Sequence, residues 1–290
     1  MRPSLKSILV PAAAELIPGA ANALTARVIE EAGYQVLLVT GAGVTNTYLG
    51  KPDVGLISVK EMADHVWAIR DAVEIALIAD ADTGFGNGVN VYRTVQMFER
   101  AGASAIQLED QVFPKRCGHF DGKAVVSAGE MVGKIKAAVD ARTSEDTLIL
   151  ARTDAIATDG IDAAIERAHL FYEAGADLLF VEAPRAEADL ARIGAECPGP
   201  QICNLVIGGK TPILSRERLQ EMGFAGIIYA NAPLQAAVKA MREVLTALRE
   251  TGSAAGLDHM VASFHERQAT VKHDFYKELE ARYAFTDPEA

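Results

Sequence analysis

A short stretch between residues 107 and 119 combines residue types suited to proton transfer and anion binding. An apolar segment, 105–108, ends in the carboxylates Glu109 and Asp110, and Lys115-Arg116-Cys117-Gly118-His119 follows shortly after. Cysteine is usually buried, yet Cys117 stands among charged residues, and neighbouring cations favour its thiolate form. The pattern predicts a strand that ends in acids and leads into a loop whose thiol takes part in acid–base chemistry.

A repeated pattern predicts the elements that position this stretch. Four times the chain shows a helix-like end, a glycine and a short apolar run, with the glycines at 33, 102, 175 and 223. Glycine commonly ends helices, and continuous apolar runs are typical of buried parallel strands. The predicted strands are 16–20, 35–39, 76–80, 104–109, 147–152, 177–182, 201–205 and 226–230. Helical patterns lie at 59–73, 91–100, 131–141, 163–173 and 236–249.

This alternation predicts an α/β chain with a (β/α)₈ TIM-type barrel, and an open doubly wound sheet is the alternative. We assign the barrel to residues 1–252, with a leading helix in the first fifteen residues. Residues 253–290 are predicted to form a C-terminal helical extension, because 257–283 has a helical pattern that no strand follows. We expect this extension to serve oligomerisation.

Composition narrows the class of partner. A chain of 290 residues can form one large domain, and its net charge of -11 without a Lys/Arg-rich run argues against nucleic acid. No apolar run approaches the ~20 residues of a membrane helix. The start of the sequence does not resemble a secretory signal, and three cysteines suggest a reducing compartment. We therefore expect a cytoplasmic enzyme that acts on a small molecule.

Polar and charged residues stand at the ends of the predicted strands, where barrel active sites form. They are Thr40-Gly41-Ala42-Gly43, Asp80, Asp82, Glu109, Arg152, Glu182 and Asn204, with Asp53 in a connecting loop. The carboxylates Asp80, Asp82 and Glu109 are hard oxygen donors of the kind that suits Mg²⁺ or Mn²⁺. For Asp82, a turn-forming role before Gly84 is the alternative.

The remaining groups suit a carboxylate ligand. Backbone N–H groups at Thr40, Gly41 and Ala42 can cradle a carboxylate, and Arg152 and Asn204 can bind carboxylate oxygens. Glu182 has two possible roles, because it could help to hold a metal-bound water or pair with Arg152. The sequence thus predicts an anionic substrate bound beside a divalent cation.

The stretch at 115–119 resembles the Lys-Lys/Arg-Cys-Gly-His signature of the isocitrate lyase and phosphoenolpyruvate mutase superfamily. The resemblance runs from about Pro18 to Arg282 and is strongest to the 2-methylisocitrate lyase, 2,3-dimethylmalate lyase and carboxyphosphonoenolpyruvate mutase branch. It implies a barrel, a homotetramer with swapped C-terminal helices and a carboxylate substrate. It also implies Mg²⁺ or Mn²⁺, with Asp80 as direct ligand and Asp82 and Glu109 acting through water.

The same resemblance implies a lyase that cleaves a 2-hydroxy di- or tricarboxylate by retro-aldol chemistry to an α-keto acid and a carboxylate. Cys117 would then be the general acid that protonates the departing carbanion. The groups that tune the thiol or contact the substrate would be Asp53, Lys115, Arg116, Gly118, His119, Arg152 and Glu182.

Some residues depart from the pattern of the carbon–carbon lyases. Leu38 stands where several of them have a tyrosine, and Ile207 stands where relatives often have glutamate. Tyr229-Ala230-Asn231 resembles phosphonopyruvate enzymes, which generally lack the cysteine. The alternatives are therefore a phosphorus–carbon bond enzyme, an oxaloacetate decarboxylase or hydrolase, and a non-catalytic barrel.

Overall fold

The computed structural model describes residues 4–116, 118 and 122–285. Eight strands run through it, all parallel to their neighbours. They are β1 (Glu15–Ala20), β2 (Val36–Val39), β3 (Ala76–Asp80), β4 (Ala105–Glu109), β5 (Leu148–Thr153), β6 (Leu178–Val181), β7 (Gln201–Asn204) and β8 (Gly226–Tyr229).

The sheet closes on itself. Strand β8 pairs with β1 through Leu16 with Ile227 and Ile17 with Ile228, which completes a barrel in the order β1 to β8. This closure confirms the predicted (β/α)₈ fold and excludes the open doubly wound sheet.

Twelve α-helices flank or follow the strands in the described part of the chain. They are α1 (Leu5–Ile8), α2 (Ala23–Glu31), α3 (Gly41–Val44), α4 (Val59–Ala72), α5 (Gly88–Arg100), α6 (Ala128–Ala141), α7 (Ile161–Glu173), α8 (Glu187–Glu196), α9 (Arg216–Glu221), α10 (Ala232–Thr251), α11 (Phe264–Thr270) and α12 (His273–Tyr283). None of these helices is long and apolar enough to cross a membrane.

The repeated glycines end helices, as the sequence pattern predicts. Gly33, Gly102, Gly175 and Gly223 all have φ between 88° and 104°, a conformation that other residues adopt at a cost. Each follows a helix directly before the turn into β2, β4, β6 or β8, so that the chain reverses within a few residues.

The apolar residues form two layers. One lies between the sheet and the helices, and the other fills the barrel interior with residues such as Ile17, Leu38 and Ile228. Leu5 and Leu9 join the interior layer at the start of the strands. The leading helix is thus present, but it is only the four-residue α1, and its apolar residues close the barrel floor.

The described chain divides into two compact units, with the boundary after Leu234. In the second unit, the predicted helical stretch 257–283 is divided into a short 3₁₀ turn, α11 and α12. Lys272 interrupts it with a left-handed φ of 55°. No residue of α10, α11 or α12 is buried.

Candidate active site

The predicted site residues meet at the carboxyl ends of the strands. The register pairs Asp80 with Gln107, Glu109 with Arg152, and Arg152 with Phe180, which brings β3, β4, β5 and β6 into line. The charged groups are at most 8% exposed, a degree of burial that is costly without partners. They are Asp53, Asp80, Asp82, Glu109, Lys115, Arg152 and Glu182.

Asp80 is held from three directions. Its Oδ1 accepts hydrogen bonds from the Asp82 N–H at 3.1 Å and the Gln107 Nε2 at 3.2 Å, and its Oδ2 accepts one from the Gly41 N–H at 3.2 Å. A Cβ at Gly41 would lie 3.0 Å from this Oδ2, which explains a glycine at the start of α3. Sequence reasoning missed Gln107, although a lone polar residue inside an apolar strand is a usable signal.

The Thr40–Ala42 segment lies at this same edge of the barrel. The Thr40 hydroxyl caps α3 by accepting a hydrogen bond from the Gly43 N–H at 3.3 Å, while the Gly41 N–H is directed at Asp80. The segment therefore helps to orient the Asp80 carboxylate. Its proposed contact with substrate stays a prediction.

Lys115 lies between two carboxylates. Its Nζ is 2.7 Å from Asp53 Oδ1 and 2.8 Å from Asp82 Oδ1. Burial opposes the charged form, but Asp82, Glu109 and Asp53 together raise the pKa of Lys115 well above its usual value. Lys115 is therefore a permanent cation that joins its loop to the acidic cluster.

Negative charge is in excess around this cluster. Burial raises the pKa of Asp82 to about 7 against the opposing effect of Lys115, and burial raises the pKa of Glu109 well above its usual value against Arg152. Glu109 Oε1 is buried and has no hydrogen-bond partner among the described residues. Burial thus disfavours the ionised forms of both carboxyls, and an added cation would stabilise those ionised forms.

A hard divalent cation would neutralise the excess negative charge of the acidic cluster. Within the described chain, no three His, Cys, Asp or Glu side chains are close enough together to ligate one ion directly. Mg²⁺ is commonly held by one or two carboxylates, with waters and substrate oxygens completing its coordination. Asp80 as direct ligand, with Asp82 and Glu109 acting through water, is compatible with this arrangement.

Arg152 is surrounded by acids. Its Nη1 is 3.3 Å from Glu109 Oε2, its Nε donates to Asp154 Oδ2 at 2.9 Å, and its Nη2 is 3.5 Å from Glu182 Oε2. Of the two roles that the sequence left open for Glu182, the pairing with Arg152 is thus present. The guanidinium also lies over the Phe180 ring, 5.3 Å from its centroid.

The loop residues differ in where they lie. Gly118 is buried, and a Cβ there would come within 2.5 Å of Arg152 Nη2. Arg116 is exposed, and its main chain is fixed by Gln111, which accepts from the Arg116 N–H and donates to the Arg116 carbonyl. The predicted acid Cys117 and its neighbour His119 lie outside the described residues.

Asn204 ends β7, where the sequence placed it. It is 9% exposed, and its Oδ1 is buried with no hydrogen-bond partner in the part of the chain that the structure describes. A buried acceptor of this kind is costly unless a ligand or water donates to it. Asn204 is therefore well suited to a bound hydroxyl or a protonated group.

Comparisons with known proteins extend over nearly the whole chain. The model of a protein family described as phosphoenolpyruvate phosphomutase matches residues 5–249. The 2,3-dimethylmalate lyase of Eubacterium barkeri is 46% identical over 267 residues, which is 92% of each chain.

Two solved structures show the same fold in detail. One is oxaloacetate acetylhydrolase in complex with the inhibitor 3,3-difluorooxalacetate, with a TM-score of 0.90 and 34% identity over 96% of this chain and 95% of that chain. The other is phosphonopyruvate hydrolase in complex with oxalate and Mg²⁺, with a TM-score of 0.87 and 32% identity over 97% and 98% of the two chains.

Proposed function

Because this chain belongs to the phosphoenolpyruvate phosphomutase family, we propose that it is a magnesium-dependent lyase that cleaves a carbon–carbon bond of a 2-hydroxy di- or tricarboxylate. Membership confirms the superfamily and the isocitrate lyase-like enzyme class predicted from the sequence. The observation that carries the proposal is the buried, acid-rich barrel mouth in which Lys115 and Arg152 supply local positive charge. The relative named 2,3-dimethylmalate lyase supports a substrate of dimethylmalate or 2-methylisocitrate type.

Asp80 would hold Mg²⁺ or Mn²⁺ directly, and Asp82 and Glu109 would hold it through water. The ion would supply positive charge to the oxygens of the α-keto acid. Lys115 keeps Asp53 and Asp82 in place, since it remains protonated while it contacts both. Arg152 and the Asn204 amide N–H would bind the carboxylate groups of the substrate, and Asn204 Oδ1 would accept a hydrogen bond from a hydroxyl or a protonated group.

Cleavage breaks the bond between the hydroxyl-bearing carbon and its neighbour. The hydroxyl proton leaves to a base, the C–O bond becomes the keto group, and the bonding electrons remain on the carboxylate fragment. Cys117 then protonates that carbanion, the role that its place in the sequence motif implies. Leu38 takes no part in proton transfer, because its hydrocarbon side chain has no titratable group, and it is packed in the barrel interior.

A product-release screen tests this proposal. The protein with Mg²⁺ is offered 2-methylisocitrate, isocitrate, dimethylmalate, citramalate, oxaloacetate and phosphonopyruvate, and the released pyruvate, glyoxylate, oxalate, phosphate and phosphoesters are measured. We expect pyruvate or glyoxylate from a 2-hydroxy acid. Turnover of oxaloacetate or phosphonopyruvate alone would contradict the assigned reaction.

A phosphorus–carbon bond enzyme is the second candidate. Tyr229-Ala230-Asn231 favours it, and so does the likeness to the phosphonopyruvate hydrolase structure. The screen separates the two, because release of phosphate or of a rearranged phosphoester from a phosphonate would favour this candidate.

For the assembly, we propose a homotetramer in which the C-terminal helices pack against a second copy. Helices α10 to α12 bury no residue, yet they carry large apolar side chains. The first unit has a cavity of about 290 Å³ beside α2, with an apolar lining. The lining includes Leu16, Val28, Ile29, Tyr34, Tyr229 and Pro233.

A further inference from the structure

Lys123 is a buried lysine with two partners. Its side chain is 1% exposed, and its Nζ donates to the Gly118 carbonyl at 2.6 Å and to Asp154 Oδ1 at 2.6 Å. Lysine is seldom buried, and a buried ammonium is stable only with good partners. Its position is therefore determined by these two contacts.

Asp154 shares its carboxylate between Lys123 and Arg152. Arg152 donates to it from Nε at 2.9 Å and from Nη2 at 3.1 Å, a bidentate contact that fixes the guanidinium plane. Burial opposes ionisation of Asp154, but Arg152 and Lys123 lower its pKa below the usual value. Asp154 is thus a carboxylate that orients Arg152.

Asp110 holds the Asp154 backbone by a hydrogen bond. It accepts hydrogen bonds from the Asp154 N–H at 2.9 Å, the Thr153 hydroxyl at 2.7 Å and Arg167 Nη1 at 3.1 Å. Asp110 and Asp154 are both fully buried. The end of β5 is therefore held by several hydrogen bonds, and Lys123 joins it to the Gly118 peptide by another.

The Gly118 backbone lies directly against Arg152 and Glu182. An added Cβ would be 2.5 Å from Arg152 Nη2 and 2.7 Å from Glu182 Cδ. The same peptide is the one whose carbonyl accepts from Lys123. The Lys123 ammonium group therefore holds the Gly118 peptide against Arg152 and Glu182. Through Asp154, it also determines the orientation of the Arg152 guanidinium.

We propose that Lys123 is a positioning residue of the carboxylate site: it docks the Gly118 peptide and, through Asp154, aims the Arg152 guanidinium at a substrate carboxylate. This inference rests on the proposed function, since it requires Arg152 to bind substrate. Lys123 itself does not touch the reacting atoms.

Oxalate binding in the presence of Mg²⁺, measured by calorimetry, tests the inference without turnover. Lys123→Met should weaken oxalate binding about 10- to 100-fold, the range typical of losing a residue that orients a ligand-binding group. Lys123→Arg should restore most of the affinity. The matched control is Lys134→Met, which removes another buried lysine that donates to the Thr83 carbonyl, and its affinity should be unchanged.

A double-mutant cycle separates positioning from general stability. In an Arg152→Lys background, the guanidinium that Asp154 orients is absent. Lys123→Met should therefore weaken oxalate binding little further in that background. If the losses of oxalate affinity from the two substitutions add, or if Lys123→Met binds oxalate as the wild type does, the inference about Lys123 is overturned and the proposed function is not. Unchanged affinity in Arg152→Lys would overturn the proposed role of Arg152 and the inference with it. If Lys123→Met does not fold, Asp154→Asn carries the same cycle.

Discussion

The barrel mouth and the C-terminal helices differ in what they bury: the mouth buries ionisable side chains, and the helices leave apolar side chains exposed. At the mouth, ionisable side chains such as Asp82, Glu109 and Lys115 are almost fully buried. In the described segment after Leu234, aromatic side chains are open to solvent, among them Phe264 at 72%, Tyr283 at 75% and Phe285 at 88%.

The buried charge and the exposed apolar surface indicate two different binding partners. Buried charge in excess of its counter-charge calls for a cation and a polar ligand, because low-dielectric surroundings penalise unpaired charge. Several exposed aromatic residues in one segment favour an apolar surface as their partner, as at protein–protein contacts. We therefore infer that a small-molecule reaction is located in the first unit and assembly in the second.

Cys117→Ser is expected to have a large effect on catalysis and none on assembly. Serine is a far weaker acid, so kcat should fall by roughly 10²–10⁴, with little change in KM or in assembly. Steady-state kinetics checks this, and Cys197→Ser is the control outside the site. Near-wild-type lyase turnover in Cys117→Ser would remove the thiol from the mechanism.

Alkylation by iodoacetamide sharpens the same prediction. Burial raises the pKa of Cys197 to about 12 and raises that of Cys203 even further. Both should therefore react slowly at neutral pH, and inactivation should follow labelling of Cys117. Mass spectrometry of the labelled peptides identifies the thiol.

Truncation at about Gly252 should affect assembly most. Intact protein should scatter light as a tetramer, and the truncated chain should show a lower oligomeric state and lower solubility. Tyr276→Asp on α12 should weaken assembly in the full-length chain, whereas Lys277→Asp, its exposed neighbour, should not. A monomeric intact protein at micromolar concentration would contradict the proposed assembly.

A smaller effect is expected in the pH dependence of stability. The pKa of Asp82 is raised to about 7 in the folded chain, so its contribution to stability is complete below its ordinary pKa of 3.8 and is lost as pH rises through about 7. Without metal, the Tm of the wild type should fall relative to Asp82→Asn as pH rises from about 4 to about 7.

Circular dichroism melts of both proteins measure this difference. Asp64→Asn is the matched control, because Asp64 is an exposed carboxylate paired with Lys60. Added Mg²⁺ should raise the wild-type Tm more at the higher pH, where the carboxylates are ionised. A gap between wild type and Asp82→Asn that does not vary with pH would contradict the assigned charge state.

The sequence predicted the barrel closely, because its apolar runs and helix-ending glycines recur with each strand. Asp80 and Glu109 were placed correctly at the ends of β3 and β4. The sequence could not reveal contacts that depend on register between strands, such as the support of Asp80 by Gln107 and of Arg152 by Asp154.

Other differences also have physical reasons. A helical pattern does not show where a left-handed residue divides a segment, as Lys272 does before α12. A charged motif also does not show which side chain faces inward, and Lys115 is buried whereas Arg116 is exposed. Residue types thus predicted which strand ends carry polar and charged groups better than they predicted the orientation of individual side chains.

Binding of Mn²⁺ to wild type and to Asp80→Asn tests the central claim most directly. Electron paramagnetic resonance of free Mn²⁺ should show one site per wild-type chain, displaced by Mg²⁺ and lost in Asp80→Asn, with Asp64→Asn binding normally. Lyase activity should vanish with EDTA, return with Mg²⁺ and be absent from Asp80→Asn. Full activity of Asp80→Asn without added metal, or no Mn²⁺ binding by the wild type, would contradict a divalent cation at the barrel mouth.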